Sequence, residues 1–134
     1  MTIRRLTEHD FPWCHEVCRK AYPGEWDMVD GETWFIELLR RPDYYLARGL
    51  HCLIVGAVGA LPFNRKKIAA NMKILASDGK AGFEVVALIK SFMVWARKLG
   101  ATRFVFDARG DTDFGPVALR VGAKPYGPAY VVES

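Results

Sequence analysis

The cysteine and histidine side chains are the first residues whose types and spacing suggest chemistry. Cys14 and Cys18 are four residues apart with His15 between them. On a helix this spacing puts both thiols on one face, where they could ligate a metal. A tetrahedral zinc site needs two further ligands, and the other Cys and His side chains are those of Cys52, His9 and His51. We interpret the thiols as buried groups that pack as small hydrophobic side chains, and we expect no metal site.

Length and composition narrow the classes of protein. The chain has 134 residues, of which 51% are hydrophobic and 25% charged, which predicts a single domain over residues 1–134 and excludes intrinsic disorder. No apolar run approaches the ~20 residues that a membrane helix needs, and no apolar segment follows the charged N-terminus as in a signal peptide. Three cysteines, an odd count, fit a reducing compartment. We therefore expect a cytoplasmic location and no membrane partner.

The charge balance is mildly basic. Nineteen Lys and Arg residues face fifteen Asp and Glu residues, a formal net charge of +4. Such a balance favours an anionic ligand or partner without indicating nucleic acid. The basic runs at positions 4–5, 40–41 and 65–67 are far apart in the sequence. We interpret each of them as solvated surface, and nucleic acid is not among the expected partners.

Hydrophobic periodicity and turn residues predict the elements that must position any site. The strongest signal is a helix from Val85 to Leu99, closed by Gly100. Gly56 and Gly59 interrupt an apolar strand and indicate a bulge or a close backbone approach. The other predicted helices cover residues 11–22, 31–41 and 114–121, and the predicted strands cover residues 2–6, 44–47, 50–61, 67–75, 102–108 and 128–132. The order β-α-α-β-β-β-α-β-α-β predicts an α/β domain with a mixed central sheet flanked by helices.

Three stretches resemble the GCN5-related N-acetyltransferase (GNAT) superfamily. Residues 92–106 (FMVWARKLGATRFVF) look like the end of the family's long helix and its fifth strand. Residues 122–127 (GAKPYG) look like the segment before its last strand, and residues 53–58 (LIVGAV) resemble its central strand. The resemblance covers nearly the whole chain and implies a single GNAT-like domain.

The resemblance also implies where a cofactor would bind. In the family, acetyl-CoA is held by a loop of pattern Q/R-x-x-G-x-G/A before the long helix, because glycines let backbone N–H groups approach the pyrophosphate. Counting back from Trp95 puts this motif on residues 80–85 (KAGFEV). Phe83 and Val85 then replace the glycines, and Glu84 brings a negative charge to the phosphate site.

A shifted loop is the remaining candidate for cofactor binding. Lys80 stands where Gln or Arg is expected, and Gly79 and Gly82 lie close by but out of register with the motif. These three residues are the cofactor-binding candidates that the resemblance implies for acetyl-CoA.

The catalytic positions of the family also differ here. Many members use a glutamate on the fourth strand as general base, but the matching residues 69–75 contain no carboxylate. Asn71 is closest in place, and its amide cannot take up a proton at neutral pH. A family tyrosine four residues before the glycine that ends the final helix protonates the leaving thiolate, and here that position is Ala118. The catalytic candidates that remain are Asn71, Asp107 and Tyr126.

Acidic and aromatic side chains near the implied site allow two interpretations each. Asp107, Asp111 and Asp113 form a carboxylate cluster at the end of a predicted strand, where they could bind or deprotonate an acceptor amine; loop carboxylates more often cap the next helix. Trp26, in a predicted polar loop, is the best candidate for an exposed contact with a ligand or partner; loop tryptophans also often just cover the edge of the core. The remaining expectations are that Trp34 and Trp95 lie in the core and that His15 lies on the surface of the first helix.

The sequence departs from the family's active pattern at three elements: the acetyl-CoA loop, the glutamate of the fourth strand and the tyrosine of the final helix. These departures predict a degenerate GNAT-like protein that acts by binding. Residues 2–4 (TIR), residues 77–81 (SDGKA) and Gly122 with Ala123 resemble the small internal virion proteins of short-tailed bacteriophages. That resemblance implies a particle-associated role with a protein partner or self-association. The alternative is an active acetyl-CoA-dependent N-acetyltransferase for a small amine or a protein amine.

Overall fold

One five-stranded sheet organises the part of the chain that the computed structural model describes, residues 3–77, 82–107, 120–123 and 132. The strands lie in the order β1-β2-β3-β4-β5. They are β1 (Arg4–Arg5), β2 (Tyr44–Arg48), β3 (Cys52–Leu61), β4 (Asn64–Ser77) and β5 (Ala101–Asp107). Three α-helices accompany them in the described ranges: α1 (Phe11–Ala21), which a short 3-10 helix (Glu8–Asp10) precedes, α2 (Met28–Leu39) and α3 (Gly82–Lys98).

The sheet is mixed, which confirms the prediction. Neighbouring strands from β1 to β4 pair antiparallel, and β4 pairs with β5 in parallel. A parallel pair needs a crossover connection, and α3 supplies it between β4 and β5. The predicted helix over residues 114–121 and strand over residues 128–132 fall almost wholly outside the described residues. Arg120 and Val121 are helical, and Gly122 has the positive φ of +75° that is typical of a helix end.

Side chains from alternate strand positions build a core on each face of the sheet. Strands β2, β3 and β4 turn one set of side chains toward α3 and another toward α1 and α2. Because both faces are covered, the central strand β3 is almost continuously apolar. The face toward α3 buries Tyr45, Ala47, Cys52, Ile54, Ala70, Met72 and Ile74. The face toward α1 and α2 buries Leu46 and Leu53 against Phe11, Cys14, Cys18, Phe35 and Leu38.

Helix α2 begins three residues earlier than predicted. The side chain of Asp27 accepts a hydrogen bond from the backbone N–H of Asp30 at 2.8 Å and so caps the helix at Met28. Gly31, the predicted start, therefore lies inside the helix, and its missing side chain makes room for the ring of Trp26. A Cβ at Gly31 would lie 2.3 Å from Cζ2 of that ring.

A buried carboxylate joins the N-terminal strand to the rest of the sheet. Asp10 is almost fully buried, and it accepts hydrogen bonds from both Nη atoms of Arg4, from Arg48 Nη1 at 3.3 Å and from the backbone N–H of Thr7 at 2.9 Å. Burial alone would raise the pKa of Asp10. The hydrogen bonds and the two guanidinium charges outweigh burial and hold that pKa below its ordinary value.

We predict that Gly56→Ala destabilises the fold. A Cβ at Gly56 would lie 2.3 Å from Cε1 of Phe92, a fully buried ring on α3, and overpacking of this kind costs about 1–3 kcal/mol. Gly59, three residues along the same strand, has no heavy atom within 4 Å of such a Cβ, so Gly59→Ala is the matched control. Urea unfolding at constant m-value measures both free energies. Equal effects of the two substitutions would contradict this packing.

Candidate functional site

The candidate site lies where β4 continues beyond its pairing with β5. The described ladder between the two strands ends at Lys73 opposite Asp107, whereas β4 stays paired with β3 as far as Ser77 opposite Cys52. Among the described residues, the outer edge of positions 74–77 therefore has no β5 partner. Main-chain N–H and C=O groups at such an edge can bind an extended ligand.

A bulge marks the same end of β4. The pairing with β3 passes from Ala76 opposite Leu53 to Ile74 opposite Ile54, so Leu75 is an extra residue in β4. A bulged residue leaves the ladder and bends its strand, and bulges are frequent beside binding sites. The bulge therefore adds unpaired main-chain groups to the free edge.

Asn71 is the catalytic candidate on β4, and it is exposed two residues before the ladder with β5 ends. It pairs with Ala57 on β3 and Val105 on β5, and the alternation of β4 sets it opposite to the buried Ala70 and Met72. It therefore lies on the sheet face that α1 and α2 cover elsewhere. Its amide can donate or accept a hydrogen bond but cannot take up a proton at neutral pH.

Strand β4 supplies no general base. Its fourteen residues, NRKKIAANMKILAS, include no Asp, Glu, His, Cys or Tyr. A proton acceptor for an amine would therefore have to come from another element or from water.

Glu84 points away from the predicted phosphate site, so the expectation that its charge faces a pyrophosphate is wrong. The residue is 5% exposed, and its Oε1 accepts hydrogen bonds from the backbone N–H groups of His51 at 2.7 Å and Cys52 at 2.8 Å. The first turn of α3 thereby caps the turn between β2 and β3. Gly49 permits this approach, since a Cβ there would lie 2.2 Å from Cδ of Glu84.

The two residues that replace the family's glycines point in different directions. Val85 is buried against the sheet, whereas Phe83 is 71% exposed and its ring lies under the guanidinium of Arg120, with Cζ 4.7 Å from the ring centroid. Phe83 therefore puts a bulky ring where the motif needs free backbone. Gly82 is the first residue of α3.

Most of the remaining predicted site residues lie outside the described part of the chain. Asp107 ends β5 opposite Lys73. The other candidates lie outside the described residues: Gly79, Lys80, Asp111, Asp113 and Tyr126.

His15 and Trp26 form a pair that the sequence interpretation missed. Trp26 is half-buried, and its Nε1 donates a hydrogen bond to Nδ1 of His15 at 3.0 Å. The proton of the neutral ring is thus on Nε2, which lies 3.5 Å from Glu32 Oε1. His15 is 7% exposed, so its predicted surface position is wrong. The half-buried Trp26 packs against the core, which fits the interpretation that it covers the core edge. The sequence signal was Gly31, whose missing side chain makes room for the indole.

The other tryptophan predictions have mixed outcomes. Trp95, on α3, is partly buried and packs against the core, with its ring centroid 5.2 Å from that of Tyr45. Trp34 is 37% exposed, so its predicted core position is wrong. It contacts the buried Phe35 at a centroid distance of 5.3 Å, and it covers the edge of the core while remaining open to solvent.

The cysteines are buried free thiols, as predicted. Cys14, Cys18 and Cys52 are fully buried and form no disulfide, and burial raises the pKa of both the Cys14 and the Cys18 thiol to about 12. In the described part of the chain, no group of three or more Cys, His, Asp or Glu side chains could hold a metal ion. None of the helices there has the length and apolar character required to span a bilayer.

Comparison with known proteins identifies the fold. No protein-family model and no curated protein matches the sequence. Among solved structures, a putative acetyltransferase from Agrobacterium tumefaciens has a TM-score of 0.79 at 10% identity, with all of both chains covered. Glucosamine-6-phosphate N-acetyltransferase from Arabidopsis thaliana has a TM-score of 0.78 at 10% identity, covering 98% of this chain and 97% of the other.

An enzyme solved with its cofactor is similar as well. The aminoglycoside N-acetyltransferase AAC(6')-Iy, in complex with CoA, has a TM-score of 0.74 at 11% identity over 99% of this chain and 93% of that one. These likenesses show that the chain has the GNAT acetyltransferase fold.

We predict that Glu84→Ala destabilises the protein by about 2–4 kcal/mol, because it leaves the buried N–H of Cys52 and that of His51 without their acceptor. Glu84→Gln retains an acceptor oxygen and should lose clearly less. Glu37→Ala, which removes an exposed carboxylate on α2, is the control and should stay within about 0.5 kcal/mol. The readout is the free energy of unfolding in urea. A loss as small as that of the control for Glu84→Ala would mean that the carboxylate does not cap the turn.

Proposed function

We propose that the chain is a GNAT-fold protein that acts by binding a partner and does not transfer acetyl groups. The proposal rests on the roles of the polar side chains around the free edge of β4. The strand offers Asn71 and Lys73 but no proton acceptor, and the carboxylate of Glu84 caps the turn between β2 and β3. The resemblance to internal virion proteins supports a place in a virus particle as part of this proposal.

The fit of the described residues to acetyl-CoA is poor at the pyrophosphate end. Close approach of backbone N–H groups needs residues without side chains, and the exposed ring of Phe83 occupies the position of one such residue. Arg120 stacks on that ring, which adds further bulk at the first turn of α3. The mismatch supports a role without a CoA cofactor.

An active acetyl-CoA-dependent N-acetyltransferase is the second candidate, and the free edge of β4 favours it. The pantetheine arm of CoA carries two amides, which can hydrogen-bond to an unpaired strand edge such as positions 74–77. This candidate needs a shifted loop of Gly79, Lys80 and Gly82 for the phosphates. It also needs Asp107 or a water molecule as base for a small amine or a protein amine.

We predict that millimolar acetyl-CoA or CoA leaves the thermal unfolding temperature of the purified protein unchanged. A ligand that binds only the folded state at ~100 times its Kd adds about 2.7 kcal/mol, which is a shift of several degrees. Inorganic pyrophosphate at the same concentration controls for ionic strength. The measurement is thermal unfolding followed by circular dichroism.

Two variants show whether a shift of the unfolding temperature with acetyl-CoA depends on the predicted phosphate contact. Lys80→Glu reverses the charge of the predicted phosphate contact, and Lys90→Glu makes the same change at an exposed position on α3. A shift with acetyl-CoA in the wild type and in Lys90→Glu, but not in Lys80→Glu, would contradict the proposal and support the acetyltransferase.

A further inference from the structure

The hairpin between β3 and β4 carries a group of exposed cations beside an exposed aromatic ring. Phe63, at its tip, is 80% exposed. The strand register passes from Ala60 opposite Ile68 directly to Leu61 opposite Asn64. Three residues of β4 are thus looped out of the ladder, and all three are exposed: Arg65, Lys66 and Lys67.

Further cations reach the same end of the molecule from distant parts of the sequence. Strand β5 begins with Ala101 opposite Ile68, and its Arg103 lies opposite Ala69. Helix α3 ends there too, with Arg97 and Lys98 exposed. A Cβ at Gly100 would lie 3.2 Å from Cδ1 of Ile68. Neighbouring strands are about 4.8 Å apart, so these groups and the hairpin form one surface, the basic hairpin surface (Phe63, Arg65, Lys66, Lys67, Arg97, Lys98 and Arg103).

Acidic residues are absent from the segments that build this surface. Neither residues 44–77 nor residues 85–106 contain an Asp or a Glu, and nine of the fifteen acidic residues precede Tyr44. Within the described ranges, Lys66, Lys67 and Lys98 form no ion pair. Asp43, next to Val58 at the same end of the sheet, is paired with Arg41. Among the described residues, the segments that build this surface therefore carry no acidic side chain that could cancel its field.

We infer that the basic hairpin surface binds single-stranded nucleic acid, with its cations on the phosphates and Phe63 stacked on a base. Proteins that bind single strands without sequence preference combine a basic track with aromatic side chains, because every base offers a π-face. The tip projects beyond the start of β5, so an unpaired strand can reach the ring. A membrane anchor would need a broad apolar face, and the exposed large apolar side chains described at this end are Phe63 and Leu99.

The inference goes beyond the proposed function and does not depend on it. The basic hairpin surface lies at the start of β4, whereas the candidate site lies at its end, nine residues along the strand from Ile68 to Ser77. That is about 30 Å in an extended strand. Nucleic-acid binding and CoA binding are therefore separate measurements, and either can fail without the other.

The test is fluorescence anisotropy with a labelled deoxythymidine oligomer of about 20 nucleotides, titrated at several salt concentrations. Each phosphate contact contributes about −0.7 to the slope of log K against log salt. The triple variant Arg65→Ala, Lys66→Ala, Lys67→Ala should therefore flatten the slope by about 2 units. The triple variant Arg19→Ala, Lys20→Ala, Arg40→Ala removes the same charge from exposed positions on α1 and at the end of α2, and it should bind like the wild type.

Phe63→Ala tests the stacking part and keeps every charge. Loss of one stacked base weakens binding about 5- to 150-fold, with the salt slope unchanged. Lys98→Glu, on α3 and outside the hairpin, should weaken binding as well and reports on the surface if the hairpin variant does not fold.

Three results would overturn the inference. Equal losses in the two triple variants would show that net charge alone drives binding. Full affinity of Phe63→Ala would show that no base stacks on Phe63. Binding to phosphatidylserine vesicles without binding to the oligomer would assign the surface to anionic lipid.

Discussion

The capping of the β2–β3 turn by Glu84 is the interaction on which the arrangement around α3 depends. One carboxylate oxygen at the start of the helix accepts the N–H groups of His51 and Cys52, which lie more than thirty residues away in the sequence. A buried carboxylate is costly unless it is hydrogen-bonded, and charge-assisted bonds to backbone N–H groups are among the strong ones. They hold the first turn of α3 against the sheet. The helix then crosses β3 with Phe92 packed on Gly56.

This constraint links the fold to its chemistry. A GNAT fold presents a free strand edge and the start of its long helix at one end of the sheet, and here the acidic group at that helix start belongs to the interior. The exposed side chains described there are an amide, an ammonium group and a ring, those of Asn71, Lys73 and Phe83. Asp107 ends β5 opposite Lys73. At the opposite end of the sheet the exposed Lys66, Lys67 and Lys98 form no ion pair within the described ranges, and they can face an anionic partner. The two ends of the sheet therefore present different side chains to a ligand.

The mixed sheet, the order of the elements and α3 could be predicted because they depend on local signals. Hydrophobic periodicity marks α3 within its own residues, and Gly100 marks its end. The predictions that were wrong at Glu84 and His15 concern side chains whose partners are distant in the sequence. No residue near Glu84 in the sequence indicates that its carboxylate accepts a hydrogen bond from Cys52. Equally, no residue near His15 indicates that Trp26 donates a hydrogen bond to it. Likewise, the basic run at residues 65–67 looks isolated until the β4–β5 register brings α3 and β5 to its side.

The most direct measurement of the central claim is acetyl transfer itself. Release of free CoA from acetyl-CoA is followed with the purified protein and a set of small amines and lysine peptides, with mass spectrometry of the amine products. We expect CoA release to equal the uncatalysed rate at every amine concentration, because β4 provides no proton acceptor and Glu84 caps the β2–β3 turn. CoA release that saturates with one amine and yields its acetylated product would show that the protein is an acetyltransferase.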